Sequence, residues 1–196
     1  MPERIAYFNA AAAEWDNLPK ADADKLEYIV SFLPTHPHLQ VIDAGCGTGI
    51  LLPFIKAKLG ESGHIYAVDF AAEMLSQAQA KYDWPNLQFI QSDVTALNLP
   101  DATIDAIICY SLYPHLANKE RAVGEFTRLL KPAGRLIIAH SKGRKAINEI
   151  HQNLGGAVAN DLLPPAAETG AICTQAGLTV LETRDDEQYY LVVAEK

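Results

Sequence analysis

VIDAGCGTGI, running from Val41 to Ile50, sets three glycines at alternate positions directly behind a short apolar run. If QVID is a strand and a helix begins near Thr48, then Gly45, Gly47 and Gly49 form the turn between them. Glycine there permits positive φ and close approach of a ligand to bare backbone, and a helix N-terminus adds unpaired N–H donors. The spacing is G-x-G-x-G, whereas a dinucleotide turn reads G-x-G-x-x-G and seats a pyrophosphate on the helix terminus.

Working outward, short apolar runs (QVIDAG, HIYAVDF, LQFIQSD, IDAIICYS) alternate with helical or loop segments between Val41 and Ser111. Runs apolar on both faces suit a parallel sheet covered by helices, so the fold class is α/β. Helical spacing recurs at Ile50 to Leu59, Ala71 to Tyr82 and Ala117 to Leu130, where KPAG stops it, and GRLIIAHS (Gly134 to Ser141) reads as a fifth strand. A helix over GRKAINEIHQNLGG, a loop NDLLPPAAE and a helix near Ala167 to Ala176 follow. LTVLETR and QYYLVVAEK close the chain with only DDE between them. So short a link permits antiparallel pairing and forbids a parallel crossover. The first 35 residues carry helical pattern (AAAAEWDN, KLEYIVSFL) and should lie outside the sheet.

Asp69 ends the second run, 20 residues beyond Gly49, where an α/β nucleotide site places an acid for ribose hydroxyls. Asp93 ends the third, within reach of an adenine amine at the sheet edge. A glycine turn with acids after the second and third strands describes an adenosine cleft. Asp43, two residues before Gly45, would repel a pyrophosphate there but could hold a ligand bearing an ammonium and a sulfonium. S-adenosylmethionine, with S-adenosylhomocysteine as its product, is such a ligand. An NAD(P)-dependent oxidoreductase and a non-catalytic cofactor-binding scaffold or sensor are the alternatives.

With 196 residues, 49% of them hydrophobic, the chain can bury the core of one domain, residues 1–196. Its 24 acidic against 16 basic residues give a net charge of -8, the wrong sign for neutralising phosphates, so no nucleic-acid partner is expected. No apolar run approaches the roughly 18 residues of a membrane span, and the N-terminus lacks a signal peptide's apolar centre, so a cytoplasmic location is expected. Cys46, Cys109 and Cys173 form no C-x-x-C pair, which argues against a disulfide framework and a structural zinc site.

From Tyr7 to Lys196 the sequence resembles the class I S-adenosylmethionine-dependent methyltransferases. The likeness is strongest in VIDAGCGTG, AVDFAAEML, QSDVTALNLPDATIDAIICY and EFTRLLKPAGRLIIAHS. FNAAAAEWD matches the F-x-x-x-A-x-x-W-D pattern of the branch that includes ubiquinone and menaquinone C-methyltransferases. The resemblance implies a Rossmann-like three-layer sandwich whose seven-stranded, mostly parallel sheet has order 3-2-1-4-5-7-6 with strand 7 antiparallel. It also implies an N-terminal helical lid (1–35) over a core (36–196), with Tyr7, Phe8 and Trp15 in the lid. By the same resemblance Asp43, Cys46 and the Gly45–Gly49 turn face the methionine part. Asp69 holds the ribose, Asp93 and Val94 border the adenine, and Phe70, Met74 and Cys109 complete the cofactor site.

Ligands of open α/β sheets bind outside the carboxyl ends of the strands, so a small-molecule acceptor belongs over strands 4 and 5. CYSLYPHL and AHSKGR supply Tyr110, Tyr113, His115, His140, Ser141 and Arg144 there. His115 and His140 are candidate general bases, Tyr113 a further catalytic candidate, and Arg144 suits an acidic group on the acceptor. Arg144, Asn148 and His151 share a helix face. His140, His151 and Asp161 could meet at a metal if the loop NDLLPP folds back, but their spacing fits no ligand motif, and no metal is assigned. CYSL replaces the N-P-P-Y type used on DNA bases and amides, and the paired cysteines of arsenite methyltransferases are missing. HSKGRKAINEIHQNLGG is also shorter than the acceptor region of quinone methyltransferases. A homodimer is the assembly considered.

Overall fold

The computed structural model describes residues 2–19 and 21–196; Met1 and Lys20, which the expected lid includes, lie outside the described residues. Seven strands, β1 (Gln40–Ala44), β2 (His64–Asp69), β3 (Leu87–Gln91), β4 (Ile104–Tyr110), β5 (Leu130–His140), β6 (Thr179–Asp185) and β7 (Tyr190–Glu195), form one sheet of order β3-β2-β1-β4-β5-β7-β6. All neighbouring pairs are parallel except β5 with β7 and β7 with β6. The order and the terminal hairpin are those expected.

Burial follows position in the sheet. β4, at the centre, is buried at six of its seven residues, whereas edge strand β6 alternates exposed and half-buried positions. Ile107 and Cys109 of β4 pack on one face and Ala106 and Ile108 on the other, because successive side chains point to opposite sides. The first face is covered by α5 (Lys119–Leu129) and α7 (Ala166–Gln175) through Val123, Phe126 and Cys173; the second by α2 (Ala23–Ser31) and α3 (Leu52–Leu59) through Ile29, Leu52 and Ile55. Each such large apolar side chain contributes about 1.5–3 kcal/mol by leaving water.

α1 (Pro2–Trp15) lies against α4 (Ala72–Lys81). The N-cap of α4, Ala71, offers no side-chain cap, and Asn9 of α1 supplies one by accepting from Glu73 N–H at 3.0 Å. At the end of α1, Asp16 accepts from Thr48 Oγ1 at 2.8 Å and from Lys81 Nζ at 2.6 Å. The helical reading of the first 35 residues is thus correct, and both helices lie outside the sheet.

Two local readings are corrected. α3 begins at Leu52 instead of near Thr48, since positive-φ glycines at alternate positions keep the chain out of the right-handed helix until the turn is complete. β5 begins at Leu130, ahead of the expected Gly134. Lys131 to Gly134 bow out of the ladder, with Leu130 pairing Ile104 and Arg135 pairing Ala106, and Ala133 adopts φ 62°.

Candidate active site

The carboxyl ends of β1, β2 and β4 floor a cleft of about 400 Å³, which continues as a smaller lobe of about 140 Å³. Gly45, Asp69, Phe70, Leu112 and His115 line both parts. Trp15, Asp43, Cys46, Gly47 and Met74 border the larger part; Asp93 and Val94 border the smaller.

The glycine turn is built differently from a phosphate cradle. Gly47 stands at φ 54°, and a Cβ on it would meet only Trp15 Nε1, 4.0 Å away across the cleft. Gly49, at φ 87°, packs inward, where a Cβ would come within 2.8 Å of the Tyr82 ring. The backbone N–H groups of Gly45 and Cys46 donate to Val68 O, that of Gly47 to Asp69 Oδ2 and that of Gly49 to Cys46 O. Four of the turn's N–H donors are therefore already paired inside the protein. A ligand at this turn meets carboxylates.

Of these, Asp69 accepts from Gly47 N–H and Ala71 N–H, both at 2.9 Å, so it braces the turn as well as facing the cleft. Burial pushes its pKa up, partly offset by those bonds. Asp43 is 2% exposed and its Oδ2 has no hydrogen-bond partner. Burial, and then the charge of Asp69, raise its pKa to about 7. An unpaired buried carboxylate oxygen beside open space at Gly47 fits a cationic ligand and disfavours a pyrophosphate. Asp93 accepts from Thr95 N–H at 2.8 Å, which shapes the wall of the smaller lobe.

Trp15 and Phe8 reach the cleft from α1, while Tyr7 stands behind Phe8 with ring centroids 5.2 Å apart and is not part of the lining. Cys109 lies inside β4, fully buried in the core instead of beyond the strand end.

At the acceptor end the predicted residues separate. His115 lines the cleft, its Nδ1 2.8 Å from Asp161 Oδ2. Tyr113 is fully buried in the core and does not reach the cleft. His140 is 1% exposed, both ring nitrogens lack partners, and burial, reinforced by His115 and His151, lowers its pKa to about 3. Arg144 of α6 (Arg144–Leu154) points away and pairs with Asp185 at 3.0 Å. Asn148 and His151, on the same helix, hold the loop that carries Asp161: Asn148 exchanges two hydrogen bonds with Leu163, and His151 Nδ1 donates to the Asp161 carbonyl. The loop does fold back, but onto His115 and Arg4; among the described residues no group of three or more His, Cys, Asp or Glu side chains is arranged to hold a metal.

Among the lining groups, Ser111 escaped the sequence. Ser111 adopts φ 55° immediately after β4, a strained conformation for a side chain with a Cβ, and Tyr110 Oη lies 2.8 Å from Ser141 Oγ beside it. The pairing of Arg4 with Asp161 gave no local signal, because the two meet across 157 positions.

Residues 42–138 match the Methyltransferase domain family. The chain is 28% identical over 185 residues to the malonyl-[acyl-carrier protein] O-methyltransferase of Pectobacterium atrosepticum, covering 91% of this chain and 69% of that protein. It is 33% identical over 101 residues to the demethylmenaquinone methyltransferase of Thermus thermophilus, covering 50% of this chain and 46% of the relative. Among solved structures, a SAM-dependent methyltransferase from Aquifex aeolicus superposes with TM-score 0.71 at 25% identity, covering 89% and 94% of the two chains. The fold alone is shared with a chain of the Haloferax volcanii complex between the Trm112 methyltransferase activator and a candidate methyltransferase (TM-score 0.79, 21% identity, 96% of each chain). Sheet order, the carboxylate-lined glycine turn and these matches converge, and the chain belongs to the class I S-adenosylmethionine-dependent methyltransferases.

Proposed function

We propose that this protein moves a methyl group from S-adenosylmethionine to a small-molecule acceptor bound at the His115 end of the cleft. The observation that carries the reading is the buried, unpartnered Oδ2 of Asp43 on the floor of the cleft, beside a glycine whose Cβ position is open. When bound, S-adenosylmethionine supplies an activated methyl group on a sulfonium. Asp43, Gly45, Cys46 and Gly47 would hold its methionine part, Asp69 its ribose, and Asp93 with Val94 its base. Phe70 and Met74 add apolar wall, and Trp15 and Phe8 exclude water from above. The chain's own contribution to rate is chiefly positioning, which supplies up to about 7–11 kcal/mol in model systems. His115, at the junction of the two lobes, would take a proton from the acceptor. Tyr113, His140 and Arg144 have no such access, so the acceptor's polar contacts fall to Tyr110 and Ser141.

Calorimetric titration with S-adenosylmethionine, S-adenosylhomocysteine and NADH, each alone, tests this. S-adenosylhomocysteine binding without NADH binding is the expected result, with loss of binding in Gly47→Val. NADH binding alone would return the oxidoreductase reading, and no binding at all would favour a scaffold.

A further inference from the structure

His115 and the charged groups behind it come from three distant parts of the chain. Asp161 sits in the segment between α6 and α7 with its side chain 2% exposed. Arg4 of α1 grips it through Nε at 2.9 Å and through Nη2, and His115 approaches from the segment after β4. Burial alone would raise the Asp161 pKa, but hydrogen bonds from His115 and Arg4 outweigh it and hold the group at about 2. An ionised carboxylate only accepts hydrogen bonds, so His115 Nδ1 carries the proton in the contact between them. In a neutral imidazole the lone pair then falls on Nε2, the nitrogen left to serve the cleft.

We infer that Asp161 and Arg4 are positioning residues for His115: Asp161 sets its tautomer and ring orientation, and Arg4 ties that setting to the docked position of α1. The inference rests on the reading of His115 as the base. α1 also packs Phe8 against both His115 and Phe70, with centroids 5.1 and 5.8 Å apart, so one helix touches both halves of the site. A helix that covers the cofactor therefore also sets the base. The other titratable groups facing the cluster do not compete for this role. Burial keeps His151 and His140 neutral, His151 giving its Nδ1–H to the Asp161 carbonyl, and Lys119 can only reinforce the negative charge of Asp161 as its counter-ion.

The test is long-range proton–nitrogen NMR of the full chain labelled with 15N-histidine, at about pH 9, where ordinary imidazoles are neutral. The His115 signals, assigned by their disappearance in His115→Gln, are expected in the Nδ1–H form. Asp161→Ala should shift them to the Nε2–H form or to an exchanging mixture. Arg4→Met should move them toward the mixture and Arg4→Lys restore them in part, while the signals of exposed His36 and His38 stay put. Should Asp161→Ala fail to fold, Arg4→Met carries the test, since Arg4 is 24% exposed. An Nε2–H form in the native protein, or spectra unchanged by Asp161→Ala or by Arg4→Met, would overturn the inference. S-adenosylhomocysteine titration of the same samples keeps the two readings apart. Its failure with the native protein, alongside the expected tautomers, removes the methyltransferase reading and leaves the positioning intact.

Discussion

The two halves of the cleft are made by different means. At the cofactor end, Asp43, the glycine turn, Asp69 and Asp93 each lie at or just beyond the end of one of three adjacent parallel strands. The acceptor end is assembled from α1, the segment after β4 and the loop before α7, which meet through Arg4, His115 and Asp161. A site built on strand ends inherits its geometry from the sheet; a site built from two loops and a helix depends on how they dock. The first end can be damaged one residue at a time, whereas the second should fail as a unit.

The largest effect that would sharpen this contrast is a separation of turnover from binding. His115→Gln should lower methyl transfer by about 10²- to 10⁴-fold, followed as S-adenosylhomocysteine formed with an acceptor found by screening. Cofactor affinity should stay within about threefold, since the sites are separable. Equal losses of both would dissolve the division into two ends.

At the other end, Asp69→Ala removes a charged acceptor and strips Gly47 N–H and Ala71 N–H of their partner. With charged hydrogen bonds worth about 1.5–3 kcal/mol each, calorimetry should show S-adenosylhomocysteine binding weakened by roughly 10- to 100-fold or more. Retained affinity would mean that Asp69 is only a brace for the turn.

A third effect depends on pH. Because the folded pKa of Asp43 is raised from 3.8 to about 7, the folded state keeps a proton that the unfolded chain has lost between those values. Its stabilising contribution is full below pH 3.8 and is lost as pH rises through about 7. A cationic ligand favours the ionised form, so affinity should rise by up to about tenfold per pH unit on approach to pH 7 and then level off. In Asp43→Asn the slope should vanish, and the ligand-free protein should melt at a higher Tm at pH 8. A slope that survives the substitution would assign the titration to another group.

The smallest effect concerns a residue that belongs to neither end. His140 refuses a proton until about pH 3, whereas an unfolded histidine takes one near 6.5. Its contribution is full above 6.5 and is lost as pH falls toward 3. His140→Leu, which also removes two unpartnered nitrogens, should leave stability at pH 7 within about 1 kcal/mol of native and make acid unfolding shallower. Loss of methyl transfer in this variant would restore His140 as a functional residue.

The same contrast explains which readings succeeded. Parallel strands, helix faces and the terminal hairpin were legible because each is a periodicity or a loop length written over a few neighbours. The position of His140 is legible in strand parity: it shares the parity of Leu136 and Ile138, both of which pack on the α5 and α7 face. Polarity at a strand end suggests a site residue, but alternation decides which way it points. Arg144 misled for a similar reason. A shared helix face joined it to Asn148 and His151, yet the sequence does not say that Asp185 of β6 waits beside it.

The sequence by itself determined the sheet's alternating segments, the left-handed glycine turn and the three acids that close the first three strands. Those follow from backbone sterics and from periods of two and 3.6 residues, which act between near neighbours. Only the tertiary structure decided that the N–H groups of Gly45, Cys46, Gly47 and Gly49 are spent on Val68, Asp69 and Cys46, that Asp43 is left with an unpaired oxygen, and that Arg4 reaches Asp161. Those depend on which surfaces come together when the helices pack on the sheet, and burial then fixes which polar atoms find partners and which are held for a ligand.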